Sequence, residues 1–176
     1  MRTAYGATDW VPEADAVESI TVNGATVEMV VLPNTLAYVQ SYFGCSDGTT
    51  GALLEDSGGS GSLGSHWERS VYYDEALTAS VWSSMMKISA LTLNLFKDTN
   101  YFYDVDVSQA VPVYYGKGKG CDFAQNNLAS ASPEYCTGSG FTCGFYQEYG
   151  GPCSTSDSFA NRAYTRTYSN VICNRA

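Results

Sequence analysis

The run "SVWSSMMKISALTLNLFKD", residues 80–98, carries the strongest periodic signal in the chain. Trp82, Met85, Met86, Ser89, Leu93 and Phe96 recur at helical spacing, and Met85, Ile88, Leu91 and Leu95 run beside them. Side chains at that interval line one broad face of an α-helix. The spacing predicts a long helix buried against a core, with its methionines as packing residues.

Other elements can be placed around that helix. Residues 17–33, "VESITVNGATVEMVVLP", hold Asn23-Gly24 between two β-branched runs. That dipeptide accepts the positive φ of a type I′ turn, which predicts a hairpin. After Pro33, the side chains of Asn34 and Thr35 are placed to cap a short helix, "LAYVQSYF", ending near Gly44. Residues 46–66 are rich in glycine, serine and acidic groups and read as an extended loop. Within it "LLEDSGG" suggests a calcium loop but lacks the regularly spaced oxygen ligands of one, so a solvated turn is expected. Downstream of the long helix the chain is aromatic and glycine-bearing. Lys117 and Lys119 lie between glycines, but no GK[ST] follows, so this is not a phosphate loop. From Cys121 onward the chain runs in short segments between cysteines. The predicted class is α+β, with residues 1–16 as a flank, 17–120 as the main unit and 121–176 as an irregular cysteine-rich tail.

Composition limits the function. The 176 residues are 44% hydrophobic and 15% charged, which suits a folded domain or part of one. A formal net charge of −9 repels phosphate backbones and anionic lipid, so nucleic acid is not an expected partner. No stretch is long and apolar enough to predict a transmembrane segment. The six cysteines are Cys45, Cys121, Cys136, Cys143, Cys153 and Cys173, with no close CxxC pair. That pattern predicts disulfides rather than a cysteine-zinc site, and hence an extracellular or cell-surface setting. The opening "MRTAYGATDWVPEADA" has no apolar core of a signal peptide, so the expectation is the C-terminal part of a longer exported protein.

Candidate chemistry centres on "GSLGSHWER", residues 61–69, which holds the sole histidine, His66. Catalytic zinc needs three protein ligands and a water, and one imidazole cannot supply them. Neither HExxH nor GxSxG occurs. The adjacent carboxylates Glu55-Asp56 and Asp74-Glu75 are expected to be exposed and solvated.

The order of "LPNTLAYVQSYFGC", "GALLEDSGGSGSLGSHWERSVYYDEALT", "SALTLNLFKDTNYFYDVDVSQAVPVYYGKGKGCDF" and a cysteine-rich tail ending "YSNVIC" resembles the leishmanolysin-like zinc metallopeptidases, which are metzincins. The resemblance implies the C-terminal half of a metzincin catalytic domain followed by a disulfide-rich subdomain. It implies that His66 is the third zinc ligand, and that the two HExxH histidines and the glutamate acting as general base lie upstream of residue 1. It implies zinc as the cofactor of a complete parent, peptide or protein as its substrate, and little metal binding or activity by this chain alone. Leu77 in "DEALT" occupies the place of the methionine in the turn beneath the metal. Cys45 and Cys121 match two cysteines that are bridged in the family. Two further family cysteines fall at Leu128 and about Ala163, which leaves the four tail cysteines to pair among themselves. The loss of the turn methionine keeps a second reading in play, a degenerate, non-catalytic surface or secreted binding protein.

Overall fold

The computed structural model describes residues 13–79, 86–102, 104–125, 134–135, 141–147, 149–159, 162–167 and 171–172. A single turn, α1 (Glu13–Ala16), leads into β1 (Val17–Val22), which pairs antiparallel with β2 (Ala25–Val30). Val22 faces Ala25 across the turn, and Asn23 and Gly24 take φ of 51° and 81°, as the Asn-Gly signal predicts. The short β3 (Ala52–Leu53) completes the sheet in the order β1-β2-β3.

Helix α2 (Pro33–Phe43) buries Thr35, Val39 and Phe43 and ends on Gly44 in the left-handed region, φ 68°. Its start differs from expectation. Leu32, extended because a proline follows it, sits at the cap position with no side-chain cap, and Pro33 opens the helix. The cap comes instead from far away in sequence. The Asp98 carboxylate accepts from the Asn34 and Thr35 backbone N–H groups at 2.9 and 2.7 Å, and from both their side chains. An anion there satisfies orphan donors and complements the helix dipole.

The long helix of the sequence reading is shorter. Residues 80–85, including Trp82 and Met85, lie outside the described residues, and the helix α4 spans Ala90–Asp98. Ser89 caps it through a hydrogen bond from Leu91 N. Residues just before the cap are held in extended pairing: Lys87 N donates to Asp74 O and Ala76 N to Lys87 O, at 2.9 and 2.8 Å. Those bonds compete with helix, and Met86 and Ile88 are about half exposed rather than core. The buried stripe of α4 is Leu91, Thr92 and Asp98, so polar groups take places that an apolar period cannot reveal.

The single-turn α3 (Arg69–Tyr72) follows the histidine loop, and the equally short α5 (Cys121–Ala124) follows the glycine-rich turn. The core joins Val22, Val27, Val39, Phe43, Leu53, Trp67, Val71 and Leu91, and continues past residue 121 through Phe123, Ala124 and Tyr135. Phe43 and Phe123 lie 5.8 Å apart, and a Cβ on Gly116 would strike the Phe123 ring, which fixes glycine there. A disulfide joins Cys45 to Cys121 with their Cα atoms 4.7 Å apart, tying the end of α2 to α5. Cys143 is also disulfide-bonded. The tail is more regular than expected: β4 (Phe141–Cys143), β5 (Tyr149–Phe159), β6 (Arg162–Thr167) and β7 (Val171–Ile172) form a second antiparallel sheet. Its central strand, "YGGPCSTSDSF", is mostly small and polar and carries no alternating apolar signal. Leu128, Cys136 and Cys173 lie outside the described residues, as do the side chains of Cys153 and Ala163.

Candidate functional site

Backbone pairing puts the histidine loop in place. From β3 the ladder continues outward, with Leu54 bridging Trp67, Trp67 bridging Thr78, and Glu75 bridging Lys87. The loop between Glu55 and His66 thus leaves a sheet edge and returns beside it. Its neck is closed by Glu55 N donating to His66 O and Gly64 N to Glu55 O, each at 2.9 Å. On either side of the next residues, Trp67 N donates to Leu77 O and Glu68 N to Leu53 O, again at 2.9 Å. The place of His66 and the turn carrying Leu77 are therefore linked through adjacent backbone.

His66 itself is half-buried. Its Nδ1 lies 3.0 Å from Ser65 Oγ and 3.4 Å from Ser62 O, while Nε2 has no hydrogen-bond partner among the described residues. An imidazole held at one nitrogen and open at the other is suited to donate that second nitrogen to a metal. Leu77 is at the surface of its turn, 36% exposed.

Beneath this loop is a polar relay that the sequence reading missed. Trp67, the residue after the histidine, is 2% exposed, and its Nε1–H donates to Thr92 Oγ1 at 3.1 Å. The Thr92 hydroxyl donates to Glu75 Oε1 at 2.6 Å, and Glu75 also accepts from Ser89 N and Ala76 N. One carboxylate therefore ties the Leu77 turn to the start of α4 and, through Thr92, to the histidine loop. The expectation of solvated acidic pairs fails here: Glu55, Asp74 and Glu75 are all buried, and Asp56 is half-buried. For Asp74 and Glu75 the cause is that Lys87, Ser89 and Thr92, from a segment distant in sequence, supply ionic and hydrogen-bond partners, which residue type alone does not reveal. Asp74 meets Lys87 Nζ at 2.6 Å, and that ammonium sits 4.1 Å from the Tyr146 ring centre. Burial raises the Glu75 carboxyl above the usual carboxylate range, against the opposing hydrogen bonds of Ser89 and Thr92. A small cavity between Asp74, Glu75, Tyr38, Tyr42 and Tyr72 has room for about a single water molecule.

Zinc can be tested against these residues. Among the described residues, three potential ligand side chains converge at Cys45, Asp47 and Cys121, and at Glu55, Asp56 and Glu68. His66 belongs to neither group, and the sulfurs of Cys45 and Cys121 are consumed by their disulfide. One imidazole has the right chemistry for zinc, but the donor set beside it does not make a catalytic site.

Comparison with known proteins identifies the family of the chain. The family model described as leishmanolysin matches residues 7–156. The chain belongs to the leishmanolysin family. It is 39% identical to the leishmanolysin-like peptidase of Drosophila melanogaster over 57% of this chain and 14% of that protein. It is 34% identical to the ciliated left-right organizer metallopeptidase of Danio rerio over 70% of this chain and 20% of that protein. It is 37% identical to the leishmanolysin homolog of Crithidia fasciculata over 68% and 18%, respectively. The chain therefore spans a fifth or less of each of these relatives. Membership makes metallopeptidase chemistry the family's function. Among the described residues no helix is long and apolar enough to cross a membrane.

Proposed function

We propose that this leishmanolysin-family chain is the part of a zinc metalloendopeptidase that carries the third zinc ligand, His66, and the turn beneath the metal, with Leu77 in the methionine place. In a complete parent, zinc would activate water and polarise the scissile carbonyl of a peptide or protein substrate. This chain contributes the scaffold that holds one imidazole and positions the turn, and by itself does not retain catalytic zinc. The observation supporting this reading is the backbone coupling of the two segments, Trp67 N to Leu77 O, next to an imidazole whose Nε2 is open. The disulfides support an extracellular or cell-surface setting for the parent.

The test is metal analysis of the purified chain after dialysis against zinc-free buffer, together with a zinc titration followed by the His66 imidazole resonances. The expected result is less than about 0.1 equivalent of retained zinc, with weak, saturable shifts at His66. Stoichiometric, tightly held zinc overturns the incomplete-site reading. Absence of any His66 shift at millimolar zinc favours the second reading, a non-catalytic binding protein, to which Leu77 also points.

A further inference from the structure

We infer that the neck of the histidine loop is a binding site for a hard divalent cation, calcium, formed by Glu55, Asp56 and Glu68. Carboxylate oxygens of these residues lie within 4.8 Å of one another. Their convergence is built by backbone: Glu55 N is tied to His66 O, and Glu68 N to Leu53 O, so both carboxylates spring from opposite sides of one closed neck. A second observation points to a ligand. Glu68 is 2% exposed; one oxygen accepts from Ser70 N at 2.7 Å, while Oε2 is buried with no hydrogen-bond partner. Glu55 is 6% exposed, and its only side-chain partner among the described residues is the Ser57 hydroxyl. The carboxylate of Glu28 also approaches the loop at Gly64.

Buried like charges at this spacing, with an oxygen left without a donor, are costly unless a proton or a cation offsets them. Oxygen-only ligands select a hard cation, and three carboxylates on an irregular, glycine-rich loop suit the adaptable, high coordination of calcium better than the strict octahedron of magnesium. "LLEDSGG" lacks the spacing of a calcium loop because the further ligand comes from Glu68, across the neck. Bound there, the cation clamps both ends of the segment that presents His66. The site contains no imidazole and stands whether or not His66 binds zinc.

The test uses the whole chain after EDTA treatment. Terbium is titrated as a calcium surrogate, with emission excited through the indole of Trp67, which adjoins Glu68. We expect saturable emission displaced by calcium and a calcium-dependent rise in Tm of about 3–5 °C. Glu68→Gln and Glu55→Gln weaken binding at least about tenfold, because each removes a charged ligand. His66→Ala leaves it unchanged, which separates this site from the zinc proposal. Glu68→Gln replaces a buried carboxyl with a neutral amide of the same shape and is expected to fold in EDTA with a Tm no lower than the unsubstituted protein. The proposal is overturned if neither ion binds up to about 10 mM, a limit weaker than the extracellular range, or if Glu68→Gln binds as tightly as the unsubstituted chain.

Discussion

The β1–β2 hairpin with α2 and the ladder from His66 to Asp98 are held in opposite ways. The first packs through Val22, Val27, Val39 and Phe43, all apolar and at most 2% exposed. The second is organised by Trp67, Glu75, Thr92 and Asp98, each buried and each linked to a partner by a polar hydrogen bond. Apolar packing tolerates exchange of similar volumes. A polar relay does not, because removing one member strands the others away from water. The region that carries the candidate ligand is therefore the one less forgiving of small changes.

The largest effect should come from the covalent tie of the first region to α5. Replacing Cys45 and Cys121 together by serine frees a loop spanning 76 residues. The chain-entropy relation gives a loss of about 4 kcal/mol, read as a fall in the urea midpoint at unchanged slope. A loss below about 1 kcal/mol would mean that apolar contacts around Phe43 and Phe123 alone join α2 to α5.

Next is Asp98, which belongs to α4 but caps α2. Asp98→Ala strands two backbone donors and two side-chain donors at the start of α2. The expected cost is about 3 kcal/mol, with Asp98→Asn losing about half as much, because a neutral amide still accepts through its oxygen. Amide exchange should quicken selectively at Asn34 and Thr35. If both variants cost the same, charge and not acceptor geometry holds the helix start.

These cases show what the sequence could reveal. The hairpin was legible because Asn23-Gly24 dictates a local turn, and α2 because Pro33 and Gly44 bound it. The family, and with it the candidate role of His66, was legible from the order of whole segments. Asp98 as a cap, Glu75 as an anchor and Glu68 as a buried neighbour of Glu55 were not, since each depends on partners brought by tertiary pairing. The extent of α4 was misjudged for the same reason: Met86 and Ile88 satisfy the helical period, yet Lys87 between them pairs with the 74–76 turn and Ile88 O accepts from Val111 N. The only local hint was a threonine and an aspartate on what should have been an apolar stripe.

Thr92→Val tests the relay beneath the histidine loop. It keeps shape but removes the acceptor for Trp67 Nε1 and the donor to Glu75. The expected cost is about 2 kcal/mol, accompanied by a shift in Trp67 emission. The same relay gives stability a pH slope. Burial raises Glu75, and burial followed by the Glu55 charge raises Glu68 to about 8 from 4.5. Above about pH 4.5 the unfolded chain releases protons that the folded chain keeps, so the metal-free stability contributed by both groups falls as pH rises, for Glu68 up to about pH 8. Urea midpoints measured from pH 5 to 8 should decline, and Glu75→Gln should flatten the decline. A rising profile would require these carboxylates to be held ionised.

The smallest effect belongs to Leu77. Its contribution to the ladder is its carbonyl, which accepts from Trp67 N, and its side chain is 36% exposed. Leu77→Met changes neither backbone nor volume appreciably, so the midpoint should move by less than about 1 kcal/mol. The Trp67 emission and the calcium response should be unaltered. A loss above about 2 kcal/mol would instead mark Leu77 as a packed member of the relay region, and would show that leucine has been fitted there in its own right. A silent exchange leaves the turn able to accept methionine, which means that the leucine alone does not separate a working peptidase from a binding protein.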